Sequence, residues 1–201
     1  MSKRNRFELL VIHTNNAALL WKKARGYAPD HVADKLDDAM LEWQSELTKA
    51  LRIWLDKGLT MTSGELILAR ANLGAVVESW LKFFYCVHYD DYLKNPISVK
   101  TESGIKMVEP EKTSFEQLKV FSSGKLWKDN KSPEHMWVDT VQYKRNAIHA
   151  FRYRNIGTAH DFLEDIDHLY NFVDNVLSHL PPLEDVIDVF PAGYEMNPYF
   201  E

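Results

Sequence analysis

Cysteine is almost absent from this 201-residue chain. Cys86 stands alone, which excludes an intrachain disulfide and any cysteine-cluster zinc or iron–sulfur site. Glycine and proline number eight each, too few for collagen or a low-complexity fibre. Long hydrophobic runs are missing too. The longest apolar stretch, Leu73 to Val87, is interrupted by Glu78 and Lys82, so it does not read as a bilayer span. The opening MSKRNRFELLVIHTNN holds a brief apolar run without a cleavage pattern, which does not read as a signal peptide. The expectation is a soluble, cytoplasmic chain with no membrane association. Apolar residues make up 45% of the sequence, and a chain of this length buries roughly 70% of its unfolded surface around one core.

A strong charge of either sign is also missing. The formal net charge is −5, which argues mildly against nonspecific nucleic-acid binding. Its distribution is uneven. Residues 181–201 carry Glu184, Asp185, Asp188, Glu195 and Glu201 and no Lys or Arg, leaving 24 acidic against 24 basic residues in the body. Within that body, Thr140 to His160 holds Lys144, Arg145, Arg152 and Arg154, with His149 and His160, and no acid. Such a window is either a solvated helix face or an anion site, because phosphate is bound by clustered permanent donors.

The dominant period is helical. HVADKLDDAMLEWQSELTKALRIWLDK repeats Met40, Leu41, Leu47, Leu51 and Leu55 at three-to-four spacing, with Gly58 as its end. Thr62 and Glu65 form a capping-box pair ahead of a helix that is apolar nearly all round and stops at Asn95-Pro96. Residues 96–112 read as an irregular or hairpin insertion, and Ser114 to Phe121 as a short helix. Ser132-Pro133 opens a helix expected to run to Tyr153 or Arg154. Gly157 breaks it, and Thr158 with Asp161 restarts a helix striped by Phe162, Ile166, Leu169, Val173, Val176 and Leu180. The fold expected is all-α, an antiparallel bundle of about five to seven helices over residues 1–180, followed by an acidic, proline-containing tail over 181–201. Val186, Ile187, Val189 and Phe190 suggest that the tail docks, with its acids against a basic surface such as that of a dimer mate.

Familiar chemistry is sparse. There is no glycine-rich phosphate loop, no Gly-x-Ser-x-Gly elbow and no His-Glu-x-x-His. His160, Glu164 and His168 fall on one stripe, but beside Asp161 and Asp165 on a polar face, where a solvated surface is the simpler reading than a metal site. No metal or cofactor is implied. Cys86, inside FFYCVHY, reads as a buried inert thiol. Arg70 and Glu78 in the apolar central helix each require a partner or a pocket. The strongest constellation is YKRNAIHAFRYRNIGTAH, residues 143–160. On a continuous helix Arg145, His149 and Arg152 lie within about 60° of one another, bordering an apolar arc of Trp137, Val141, Ile148 and Phe151. Guanidinium groups flanking an imidazole can hold a phosphate while the imidazole moves a proton. The same residues also suit surface ion pairs and a core-edge hydrogen bond.

RNAIHAF following ANLGAVVESWLKFFY resembles the HEPN superfamily of small helical proteins, over about residues 62–180. The resemblance implies a helical bundle, often a homodimer whose two copies form one composite cleft. It also implies a metal-independent ribonuclease of toxin–antitoxin or antiviral defence systems, acting on RNA and paired with an antitoxin or sensor protein. It assigns Arg145, Asn146 and His149 to catalysis. Lys144, Arg152 and Arg154 become substrate contacts, and Glu78 and His160 possible auxiliaries. The signature usually has four to six residues between Arg and His, whereas Arg145 and His149 have three. Arg154-Asn155 to His160 has five, but Gly157 and the cap at Thr158 lie between. The alternative is a catalytically inactive module of the same fold that binds a protein partner or RNA.

Overall fold

The computed structural model describes residues 2–182 and 190–196. Among the described residues eight α-helices run Lys3–Trp21 (α1), Asp30–Asp38 (α2), Leu41–Lys57 (α3), Ser63–Val87 (α4), Tyr89–Lys94 (α5), Phe115–Phe121 (α6), Pro133–Arg145 (α7) and Ala159–Ser178 (α8). One antiparallel hairpin, Ser98–Thr101 (β1) with Gly104–Met107 (β2), stands between α5 and α6, the hairpin form of the expected insertion. The all-α expectation therefore holds in outline, with one more helix than the upper estimate and a small sheet.

α4 is the axis of the fold, and α2, α3, α6, α7 and α8 all pack on it. Its start follows the capping box, with Thr62 accepting from the Glu65 backbone and the Glu65 carboxylate accepting from Thr62 N–H at 2.9 Å. Leu73, Val76, Val77, Trp80 and Leu81 along it are fully buried, so a helix that is apolar nearly all round gains by packing on most of its sides. α8 closes the core with the expected stripe, from Phe162 to Val176. Cys86 is buried, and desolvation pushes its thiol up to about 12, consistent with inertness.

Two expectations are corrected. The 31–57 segment is two helices, because the chain turns out of helical geometry at Ala39 (ψ 131°) and Met40 (ψ 64°). The core stripe changes phase there. Leu36 and Leu41 are both buried yet lie about 140° apart on a continuous helix, so a break must re-align them, and Met40 and Leu47 are left exposed. The helix after Pro133 ends at Arg145, followed by one 3-10 turn over Asn146–His149 and a left-handed Ala150 (φ 52°). Ile148 and Phe151, placed in the core arc by helical phase, are accordingly exposed. Of the acidic tail, the described residues 190–196 lie along this chain's own α1. Asn16 donates to the Glu195 carbonyl (2.7 Å) and accepts from its N–H (3.0 Å). Val186, Ile187 and Val189 lie outside the described residues.

His13 on α1 packs near Tyr170 of α8 with Nδ1 buried and unbonded among the described residues. Burial holds its pKa below the ordinary 6.5, against the opposing pull of Asp174. The unfolded chain therefore binds the His13 proton more readily. The His13 contribution to stability is constant above pH 6.5, falls as pH drops from there through the lowered folded value, and is constant again below. Urea titrations of the wild type and His13→Gln across pH 5 to 8 check this, and the substitution should flatten that slope.

Candidate functional site

The close approach of α7 to α4 begins at Gly74. A Cβ there would meet Arg145 Cγ at 2.3 Å and Cβ at 2.5 Å, distances no side chain tolerates. The aliphatic stem of Arg145 thus lies on bare helix backbone. One turn further along α4, on the same face, Glu78 receives the guanidinium, with Nη2 to Oε2 at 3.1 Å. Its other oxygen meets Lys82 at 3.0 Å. Nη1 of Arg145 donates to Asn146 Oδ1 at 3.2 Å. Arg145 is therefore a cation with a fixed stem, a doubly held guanidinium and about a third of its side chain, 32%, open to solvent. Lys82 and Arg145 around one carboxylate leave this spot with a surplus positive charge.

The 3-10 turn decides where His149 stands. With three residues per turn, positions i and i+3 eclipse, so Asn146 and His149 occupy the same side of the turn. His149 is exposed, and among the described residues no hydrogen bond or ion pair engages its ring. The three residues of the expected catalytic set thus occupy one short stretch, with Glu78 joined to it through space.

The other candidates separate. Arg152 follows the left-handed turn and is exposed, so it does not share a helix stripe with Arg145 and His149. The Arg154 guanidinium lies over the Tyr143 ring, 5.0 Å from its centroid. Lys144 points the other way, to Asp165 of α8 at 3.2 Å. Asp165 also pairs with Arg70 and accepts from Trp137 Nε1 at 2.9 Å. Arg70, 1% exposed, donates from Nε to the Ile156 carbonyl at 3.0 Å. Lys144 and Arg70 thereby pin both ends of the 146–156 segment, which is why α7 cannot continue to Arg154. His160 sits at the start of α8, 3.8 Å from Glu164, whose carboxylate also binds Lys3 of α1.

Two features escape the helical reading. Phe151 is fully exposed and Tyr153 is 89% exposed, two bare rings interleaved with Arg152 and Arg154. The alternation FRYR was the available signal, since stacking rings among cations is a pattern of single-stranded nucleic-acid binding. Lys82 was the second, four residues from Glu78 on the same helix face. Among the described residues no cluster of three or more His, Cys, Asp or Glu side chains could hold a metal ion, and no helix is long and apolar enough to cross a membrane. No family model matches the sequence, and no curated protein and no solved structure matches the chain.

Proposed function

We propose that this chain is a metal-independent endoribonuclease of the HEPN type, working from the α7 terminus in a toxin–antitoxin or antiviral defence role. The observation that carries the reading is the Arg145 guanidinium, seated on Gly74 and held by Glu78 and Asn146, with an unengaged imidazole one 3-10 turn away. In the proposed reaction His149 accepts the ribose 2′-hydroxyl proton as the 2′-oxygen attacks phosphorus. The 5′-oxygen leaves with a proton from an imidazolium, giving a 2′,3′-cyclic phosphate and a 5′-hydroxyl. Arg145 binds the phosphate and offsets the charge that grows on it, and Asn146 holds the guanidinium in place. One imidazole cannot serve as base and acid in the same step, so a second His149 from a homodimer mate completes the cleft. Arg152 and Arg154, with the bare rings beside them, hold the flanking strand.

Incubating a mixed RNA pool with EDTA tests this, beside His149→Ala and Arg145→Ala. Each variant is expected to lose cleavage by about 10²-fold or more, and wild-type products should end in cyclic phosphate. Equal cleavage by all three proteins points to a contaminant and removes the assignment. The second reading, a non-cutting module that binds RNA or a partner such as an antitoxin or sensor, is favoured by one observation. Glu78 already neutralises part of Arg145. It predicts salt-dependent RNA retention or a stable hetero-complex with intact RNA.

A further inference from the structure

Glu78 is shared by two cations, and each takes one of its oxygens. Oε2 meets Arg145 Nη2 at 3.1 Å, and Oε1 meets Lys82 Nζ at 3.0 Å. The order follows from the helix. Gly74, Glu78 and Lys82 stand four residues apart on one face of α4, so the Arg145 stem, its guanidinium and the Lys82 ammonium line up along it. Glu78 four residues ahead of Lys82 is also the favoured direction for such a pair on a helix.

A second arginine of the same chain shows what a carboxylate does when no lysine shares it. Glu8 receives Arg52 as a fork, with Nη1 to Oε1 at 2.8 Å and Nη2 to Oε2 at 2.6 Å. No lysine pairs with Glu8 among the described residues. The fork is the strong form of this contact, two parallel bonds that bring the opposite charges closest. Arg145 and Glu78 have one longer bond instead. Solvent does not explain the difference. The Arg52 and Glu8 side chains are 43% and 33% exposed, against 32% and 16% for Arg145 and Glu78, so attraction is less screened at Glu78. Its second oxygen is simply occupied. Arg145 carries five N–H donors, and two of them are used, one on Glu78 and one on Asn146. The other three engage nothing among the described residues.

We infer that Lys82 is a positioning residue of the α7 site. By holding Oε1 it keeps Glu78 from closing a fork on Arg145, and leaves the free donors and most of the guanidinium charge to a phosphodiester. Glu78 can then fix Arg145 without cancelling it. This role rests on the part of the ribonuclease reading in which Arg145 binds the RNA phosphate.

Two measurements on the full chain test it: anisotropy of a 2′-O-methyl RNA oligonucleotide, which binds without being cut, and cleavage of the unmodified strand in EDTA. Lys82→Gln should weaken binding and lower kcat/KM by about tenfold, the scale of one charge-assisted hydrogen bond. Lys82→Arg, which keeps a cation on Oε1, should recover most of that loss. So should Lys82→Gln combined with Glu78→Gln, because the amide still accepts from Nη2 but has no charge to set against Arg145. A lysine that only packs, or that touches phosphate itself, leaves the double variant as weak as Lys82→Gln, and in the second case the salt slope of binding also falls by about 0.7. Either result overturns the proposal, as does wild-type behaviour of Lys82→Gln. Binding without cleavage in the wild type removes the ribonuclease reading alone, and the binding arm still decides on Lys82. A wild type that neither binds nor cuts RNA removes both.

Discussion

Replacing Asp165 with alanine costs about 3–5 kcal/mol of folding stability. Asp165 is 7% exposed and is the shared counter-charge of Arg70 and Lys144 while accepting from Trp137. Even with that carboxylate present, burial outweighs its attraction and lowers the pKa of Arg70, so the network has no charge to spare. Without it, two cations face each other in a region closed to water. Against a total of about 5–15 kcal/mol for an ordinary domain, the loss takes a large share. Urea titration measures it, and a change below about 1 kcal/mol contradicts the account. Two companions separate charge from packing. Asp165→Asn keeps the Trp137 acceptor and falls between wild type and alanine. Arg70→Met with Asp165→Leu removes the buried pair together and recovers part of the stability. The 150–157 segment should also become the first site of proteolysis in Asp165→Ala, because Arg70 holds it through the Ile156 carbonyl.

Gly74→Ala is expected to damage the α7 site more than the fold. In an open helix position this change stabilises by about 1 kcal/mol, through helix propensity. Here the new methyl overlaps the Arg145 stem, and α7 must move by about 1 Å to clear it. Overpacking of this kind costs about 1–3 kcal/mol. The displacement carries Arg145 away from Glu78, and about 1 Å of misplacement can remove 10²-fold of activity. A Cβ at Gly64, on the same helix, would meet nothing within 4 Å, so Gly64→Ala should be neutral or stabilising and leave RNA cleavage unchanged. A Gly74→Ala protein as active and stable as the wild type contradicts the packing described. If the chain does not cut RNA at all, the stability arm still tests the Gly74 contact.

Much of the architecture was legible locally. The boxes at Thr62–Glu65 and Thr158–Asp161 each satisfy donors within one turn of chain, and the α8 stripe repeats at a period set by the helix alone. The ends of helices without a local signal were not legible. Nothing between Arg145 and Tyr153 breaks a helix by composition, and Ala39-Met40 carries no glycine or proline. At the first, distant partners hold the chain, Asp165 on Lys144 and Arg70 on the Ile156 carbonyl, and at the second the break re-phases Leu36 and Leu41 so that both reach the core. The arginine stripe failed for the same reason, since a face exists only while the helix continues.

The amino-acid sequence by itself determined the helical class, the buried central helix, the acid-free window at 140–160 and the pairing of Arg145 with Asn146 and His149 in one short stretch. Tertiary structure alone decided what each charge in that window does. Arg145 meets Glu78 because Gly74 lets α7 approach to backbone contact, and Lys144 turns inward because Arg70 and Asp165 are buried beside it. Helical order comes from interactions over three or four residues, which a sequence displays directly. Desolvated charges are satisfied by partners 21 to 95 residues away, which only the packed chain brings together.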